Sequence, residues 1–257
     1  MKKLLTALAI CGFTEMNLVA DSTNSRTLTV GNTTVTVYRD STPSTELDKP
    51  TIDNNVFAVR QDGKIILVNA GLGGDGGFLK HFIADDNNPE DVAAILLTNL
   101  NADYIGGLVS FRKFGARNGG FLYLNMKATF PNAKVYISKS QVEHWNSENI
   151  DNAAVSRARN FYADRVITFD FDTEILPGIT AVKAPEQPSS STIFVTRDIM
   201  FIGGLDVDTT VADQQGKVWQ QHATDQKLHI AGSRLSFPAV GKLTPNNKDG
   251  YTFTVAE

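Results

Sequence analysis

Four histidines, His81, His144, His222 and His229, are the first side chains to weigh for chemistry. Imidazoles that hold zinc come at short, fixed spacings or in clusters. No pair or cluster among these four has such spacing, so each reads as a surface or core histidine. The one cysteine, Cys11, lies in an apolar N-terminal run. No Gly-x-Ser-x-Gly nucleophile motif occurs, and Ser189-Ser190-Ser191 reads as a polar turn. Gly71-Leu72-Gly73-Gly74-Asp75-Gly76-Gly77 lacks the Gly-Lys-Ser/Thr ending and the dinucleotide fingerprint spacing. It reads as a flexible loop.

The chain has 257 residues, 42% hydrophobic and 20% charged, with a net charge of −4. That composition supports a sizeable core. It lacks the dense basic face that nucleic acid requires, and no basic run is long enough for an anionic membrane surface. Lys2 and Lys3 precede an apolar stretch from Leu4 to Phe13, and Leu18-Val19-Ala20 then meets a polar segment. The pattern predicts a signal peptide over residues 1–20, cleaved after Ala20, and a periplasmic or secreted product. The run falls short of the roughly 20 apolar residues that span a bilayer, so no transmembrane segment is expected. Ile10 is too large for the residue preceding a lipidated cysteine, and a mature chain starting at Asp21 has no cysteine.

The elements alternate. Arg26 to Tyr38 reads as a hairpin turning at Gly31-Asn32, and Val56–Arg60 and Lys64–Asn69 as strands joined at Gln61-Asp62-Gly63. Ser41–Asp53 reads as a surface loop. A helix is expected over Phe78–Ala84, a buried strand over Ala93–Thr98, a polar loop over Asn99–Tyr104 and a helix opening at Ile105-Gly106-Gly107-Leu108. Val135–Ser138 reads as a strand, Ser140 as the N-cap of a helix holding Val142 and Trp145, and Ala153–Tyr162 as another helix. Further strands are expected at Val166–Phe169, Ile179–Val182, Thr192–Thr196, Ile199–Ile202 and Leu228–Ala231. Strands followed by helices, twice over and with no linker, predict a layered α/β sandwich in one domain, residues 21–257.

Several blocks then resemble, in order and spacing, the metallo-β-lactamase superfamily. They are Asn55-Val56-Phe57-Ala58-Val59, the run Gly63 to Gly71, Leu96 to Leu108, Phe130 to Tyr136, the Ala184-Pro185 turn and Gly232 to Gly241. The last block is most similar to the branch containing methyl parathion hydrolase and lactonase-like enzymes. The resemblance implies a four-layered αββα sandwich. It also implies a His-x-His-x-Asp-His loop whose ligands hold one or two metal ions, usually zinc, and generate a hydroxide nucleophile.

At the matching positions this chain carries Asn99, Asn101, Asp103 and Tyr104. An amide oxygen is a poor zinc ligand beside imidazole, and a phenol binds only as phenolate. Gln187 stands where the family has a later histidine, and Arg234, a permanent cation, where it has another. Asp206 supplies the bridging carboxylate only if its loop slips by a residue. Asn69-Ala70-Gly71 replaces the structural Asp-x-Gly. The expectation is a fold without metal or other cofactor. In its cavity Arg234 neutralises Asp103, with Asn99, Asn101 and Gln187 completing a hydrogen-bond network. Three functions remain open: a non-catalytic module binding a small molecule or a protein; a hydrolase of esters or lactones working without metal or with a non-standard, weakly held cation, with Asp103 as base and Tyr104 or Arg234 stabilising charge; and a mere structural plug of the old cavity.

Overall fold

The computed structural model describes residues 18–21, 23–40, 53–73, 77–115, 121–147, 153–185, 191–205, 216–246 and 250–256. Two expectations lie mainly outside them: the leader of residues 1–20, which includes Cys11 and is described only from Leu18, and the loop of residues 41–53, described only at Asp53. Gln187 and Asp206 lie outside as well.

The first sheet holds β1 (Leu18–Asp21), β2 (Ser25–Val30), β3 (Thr33–Arg39), β4 (Asn55–Gln61), β5 (Lys64–Val68) and β6 (Val92–Leu96). A separate hairpin follows, β7 (Val109–Gly115) and β8 (Phe121–Ala128), before β9 (Lys134–Ser138) and β10 (Val166–Phe169) complete that sheet. The second sheet is β11 (Thr173–Leu176), β12 (Ile179–Lys183), β13 (Thr192–Val195), β14 (Ile199–Gly203), β15 (His229–Gly232), β16 (Val240–Pro245) and β17 (Tyr251–Val255), in that order. The helices are α1 (Phe78–Ala84), α2 (Ala102–Ile105), α3 (Val142–Asn146), α4 (Ala153–Tyr162) and α5 (Gly216–Asp225).

Alternation along the strands separates the layers. In β4 and β5, Val56, Ala58, Ile65 and Leu67 pack with Phe78, Phe82 and Tyr162 on the helical side. Phe57, Val59, Ile66 and Val68 point the other way, to Phe194 and Phe201 of the second sheet. Both faces of these strands are therefore covered, which explains a continuous hydrophobic run where a half-exposed strand would alternate with polar residues. A third cluster packs Ile193, Met200 and Ile230 of the second sheet against Trp219 and Ala223 of α5. Three cores between four layers make an αββα sandwich, as the family resemblance implies. Among the described residues no helix is long and apolar enough to cross a membrane.

Two expectations fail. The chain after Ile105 does not open a helix: α2 is a single turn that ends there, a 3-10 turn covers Gly106–Leu108, and the β7–β8 hairpin follows. The glycines serve a close backbone approach instead, since a Cβ on Gly107 would lie 1.9 Å from the Ala70 carbonyl oxygen and one on Gly106 2.1 Å from that of Leu72. Ser140 caps nothing, because its hydroxyl meets that of Ser138 at 2.8 Å within a 3-10 turn.

Candidate functional site

The parallel strands β5 and β6, and the parallel pair β14 and β15, end at one end of the sandwich. Loops leaving strand C-termini are the usual place for a site in such sheets. Asn69, the first residue after β5, is buried with φ 63°, a left-handed conformation that asparagine tolerates better than most residues. Its amide oxygen accepts from the Thr98 backbone N–H and hydroxyl, both at 3.0 Å, and its amide nitrogen donates to the Ser233 hydroxyl at 3.0 Å. One side chain thus ties together the ends of β5, β6 and β15. The Asn55 amide adds bonds to the carbonyls of Ser233 at 3.2 Å and Leu235 at 2.7 Å, fixing the turn that carries Arg234.

The polar loop is held from below. The Tyr104 carbonyl accepts from the Ala70 N–H at 2.6 Å, and the Asn99 side chain accepts from the Asn101 N–H at 2.8 Å. The Asn54 amide donates both to the Asp103 carbonyl, at 2.9 Å, and to the Asp40 carboxylate, at 3.0 Å. Asp40 is itself fully buried and accepts from the Leu72 N–H and, at 2.7 Å, the Phe78 N–H. Burial pushes its carboxyl up to about 6, although those three hydrogen bonds pull the other way.

Arg234 makes the expected ion pair, Nη2 to Asp103 Oδ2. Its Nε reaches the Tyr104 hydroxyl at 3.4 Å, and its guanidinium carbon sits 5.8 Å from the Tyr104 ring centre. The tyrosine is buried, and a Cβ on Gly204 would lie 2.3 Å from its hydroxyl, so the phenol fills the space beneath the turn after β14. Beside this arrangement is a cavity of about 230 Å³ lined by Asn99, Asn101, Tyr104, Ser191, Gly204 and Arg234, among others. Of the residues singled out from sequence, four therefore line one cavity and Asp103 backs it through the ion pair. The hydrogen-bond network differs from expectation in one respect: within the described residues the guanidinium bonds go to Asp103 and Tyr104, not to Asn99 or Asn101. Ser191, buried beside the cavity, was read from sequence only as part of a polar turn.

A divalent metal does not fit these residues. The Asp103 carboxylate is occupied by a fixed cation, which would repel a second one across a few ångströms. Burial raises the Tyr104 phenol above its ordinary value, against the pull of Arg234, so it stays neutral and offers no phenolate. Among the described residues no three histidine, cysteine or carboxylate side chains come together. Among the described residues no histidine lines the cavity, and the neighbouring Asp103 carboxylate is ion-paired, so neither is set up as a general base. What the cavity offers is hydrogen-bond donors: the Asn99 and Asn101 amides, the Ser191 hydroxyl and the guanidinium.

Residues 51–116 match the family model described as the metallo-beta-lactamase superfamily. Among solved structures, the chain is similar to AidC, a dizinc quorum-quenching lactonase in complex with a product. The identity is 17%, with 91% of this chain and 98% of that one covered and a TM-score of 0.70. It is similar also to the hydrolase AbOPH in the beta lactamase superfamily, at 18% identity with 93% and 99% covered and a TM-score of 0.68. A probable metal-dependent hydrolase from Staphylococcus aureus aligns at 11% identity, covering 89% and 99%, with a TM-score of 0.66. No curated protein matches the chain. At such identities the likeness shows the fold, and the fold is that of the metallo-β-lactamases.

Proposed function

We propose that this protein of metallo-β-lactamase fold is an exported, non-catalytic binding module. In this reading an ion pair replaces the metal centre, and the adjoining cavity takes a small carbonyl compound such as an ester or lactone. The observation that carries it is the Arg234–Asp103 pair beside the buried Tyr104, which commits the carboxylate and leaves the guanidinium lining a cavity rich in hydrogen-bond donors. Carbonyl oxygens are acceptors only, so a pocket of amide, hydroxyl and guanidinium donors complements them. Structural neighbours that are lactonases and hydrolases make lactones and their ring-opened acids the first ligands to try. Export rests on the N-terminal pattern of Lys2, Lys3 and the apolar run.

Thermal shift with N-hexanoyl-homoserine lactone and its ring-opened acid, alongside a hydrolysis assay, tests the reading. Dose-dependent stabilisation of the wild type by either compound, lost in Asn99→Ala, with no lactone opening above buffer, supports it. Turnover that disappears in Asp103→Ala overturns it in favour of a hydrolase.

A further inference from the structure

The opposite end of the sandwich holds a second and larger cavity, of about 420 Å³, whose floor is the inter-sheet face of β5, β6 and β9 near their N-termini. Ile66, Ala94 and Tyr136 all belong to the core between the sheets and, only 4–8% exposed, form this floor where that core meets the cavity. β11 ends at Leu176, and Leu176 and Pro177 close only one wall.

Two local features hold this space open. Along β6 the small Ala94 alternates with the bulky Leu96, which stands opposite Tyr136 in the register. Where a larger side chain would fill the gap, Ala94 leaves room. The parallel pairing of β5 with β6 also slips by one residue between Ile65 and Ile66, leaving Ala93 as an extra residue on the cavity wall. Bulges are rare in parallel pairs and concentrate beside sites, where they re-aim side chains.

The chemistry of the lining is selective. Tyr136 is only 8% exposed as a residue, and no hydrogen bond to its hydroxyl is found within the described residues. That oxygen is not among the buried unpartnered atoms, so it opens toward the cavity, where it is free to donate to an acceptor. Around it the surfaces of Ile66, Ala94, Leu176 and Pro177 are aliphatic. At the mouth, the lysines Lys64 and Lys134 stand among the three carboxylates of Asp62, Glu90 and Asp91, a net charge of about −1 that disfavours an anion.

We propose that this cavity is a second ligand site, distinct from the ion-paired one, which takes a small uncharged compound bearing a carbonyl group that accepts from the Tyr136 hydroxyl. The volume lies in the range of pockets that enclose a small organic ligand, about 300–1,000 Å³. Pockets of that kind combine an apolar wall with a few placed polar groups, and here the phenol is that group.

Saturation-transfer NMR with acetophenone on the full chain tests this. The wild type should give a saturable signal. Tyr136→Phe, which keeps the ring and removes the donor, should weaken binding about five- to tenfold, the usual worth of one net hydrogen bond. Ala94→Leu, which fills the floor, should abolish it, while Glu143→Gln, exposed on α3 and lining neither cavity, should bind as the wild type does. Absence of a saturable signal in the wild type, unchanged affinity in either cavity variant, or loss of the signal in Glu143→Gln overturns the proposal. Failure of the first cavity to bind lactones would leave this result untouched, because the variants address separate ends of the sandwich.

Discussion

Replacing Arg234 by methionine keeps most of the stem's bulk while removing the charge that faces Asp103. The two side chains are 31% and 35% exposed, so the pair lies between surface and interior. Exposed ion pairs contribute about 0.2–1 kcal/mol, whereas removing one partner of a buried pair costs about 3–5 kcal/mol. Partial exposure places Arg234→Met at about 1–2 kcal/mol, a figure that includes the attraction between the guanidinium and the Tyr104 ring. In a domain of this size that lowers Tm by about 3–6 °C. The assay is a double-mutant cycle in urea with Asp103→Asn, Arg234→Met and the combination. The combined variant should be more stable than the sum of the two single effects implies, with a coupling of about 1 kcal/mol, because Asp103→Asn removes the carboxylate that Arg234→Met strands. Additivity within about 0.3 kcal/mol would refute the idea that the guanidinium has taken over charge neutralisation.

Asp40 predicts a pH dependence. Its folded value, about 6, lies above the ordinary 3.8, with the nearby Asp103 charge a minor contributor after burial. The folded state therefore binds the proton more tightly, and this group's stabilisation is complete below 3.8 and lost as pH rises through 6. Relative to Asp40→Asn, wild-type stability should rise as pH falls from about 7 to about 4, by at most about 3 kcal/mol; an opposite slope in chemical denaturation counts against it. Asn69→Ala removes three buried hydrogen bonds and puts alanine at positive φ, so urea unfolding should show a loss of about 2–4 kcal/mol. Gly107→Ala should fail to give soluble folded protein, or lose more than about 3 kcal/mol, since its Cβ would overlap the Ala70 carbonyl. Wild-type solubility and Tm in that variant would show that the α2 segment yields more readily than the packing implies.

Local signals were legible where one element supplies its own evidence. The Asp62-Gly63 turn, with φ of 49° and 74°, and the helix Ala153–Tyr162 follow from turn chemistry and apolar periodicity. The β7–β8 hairpin was not legible, because Gly106 and Gly107 look like the opening of a helix until the backbone at residues 70–72 is seen against them. Strands β11, β16 and β17 were also missed; β11 has no buried residue and β16 only three. The Asp103–Arg234 pair was foreseeable only because a resemblance placed two residues 131 positions apart in one cavity. Its supports, Asn54 to Asp103 and Asn69 to Ser233, carry no sequence signal, since bonds spanning 49 and 164 positions leave no local spacing to read.

The metal content of the purified protein, measured by inductively coupled plasma mass spectrometry after equilibration with zinc and exhaustive dialysis, weighs ion pair against metal centre. A chain whose ligand positions hold amides, a neutral phenol and a guanidinium should retain zinc far below one ion per molecule. Stable retention of one or two zinc ions per chain, lost in Asp103→Ala, would contradict the ion-paired site.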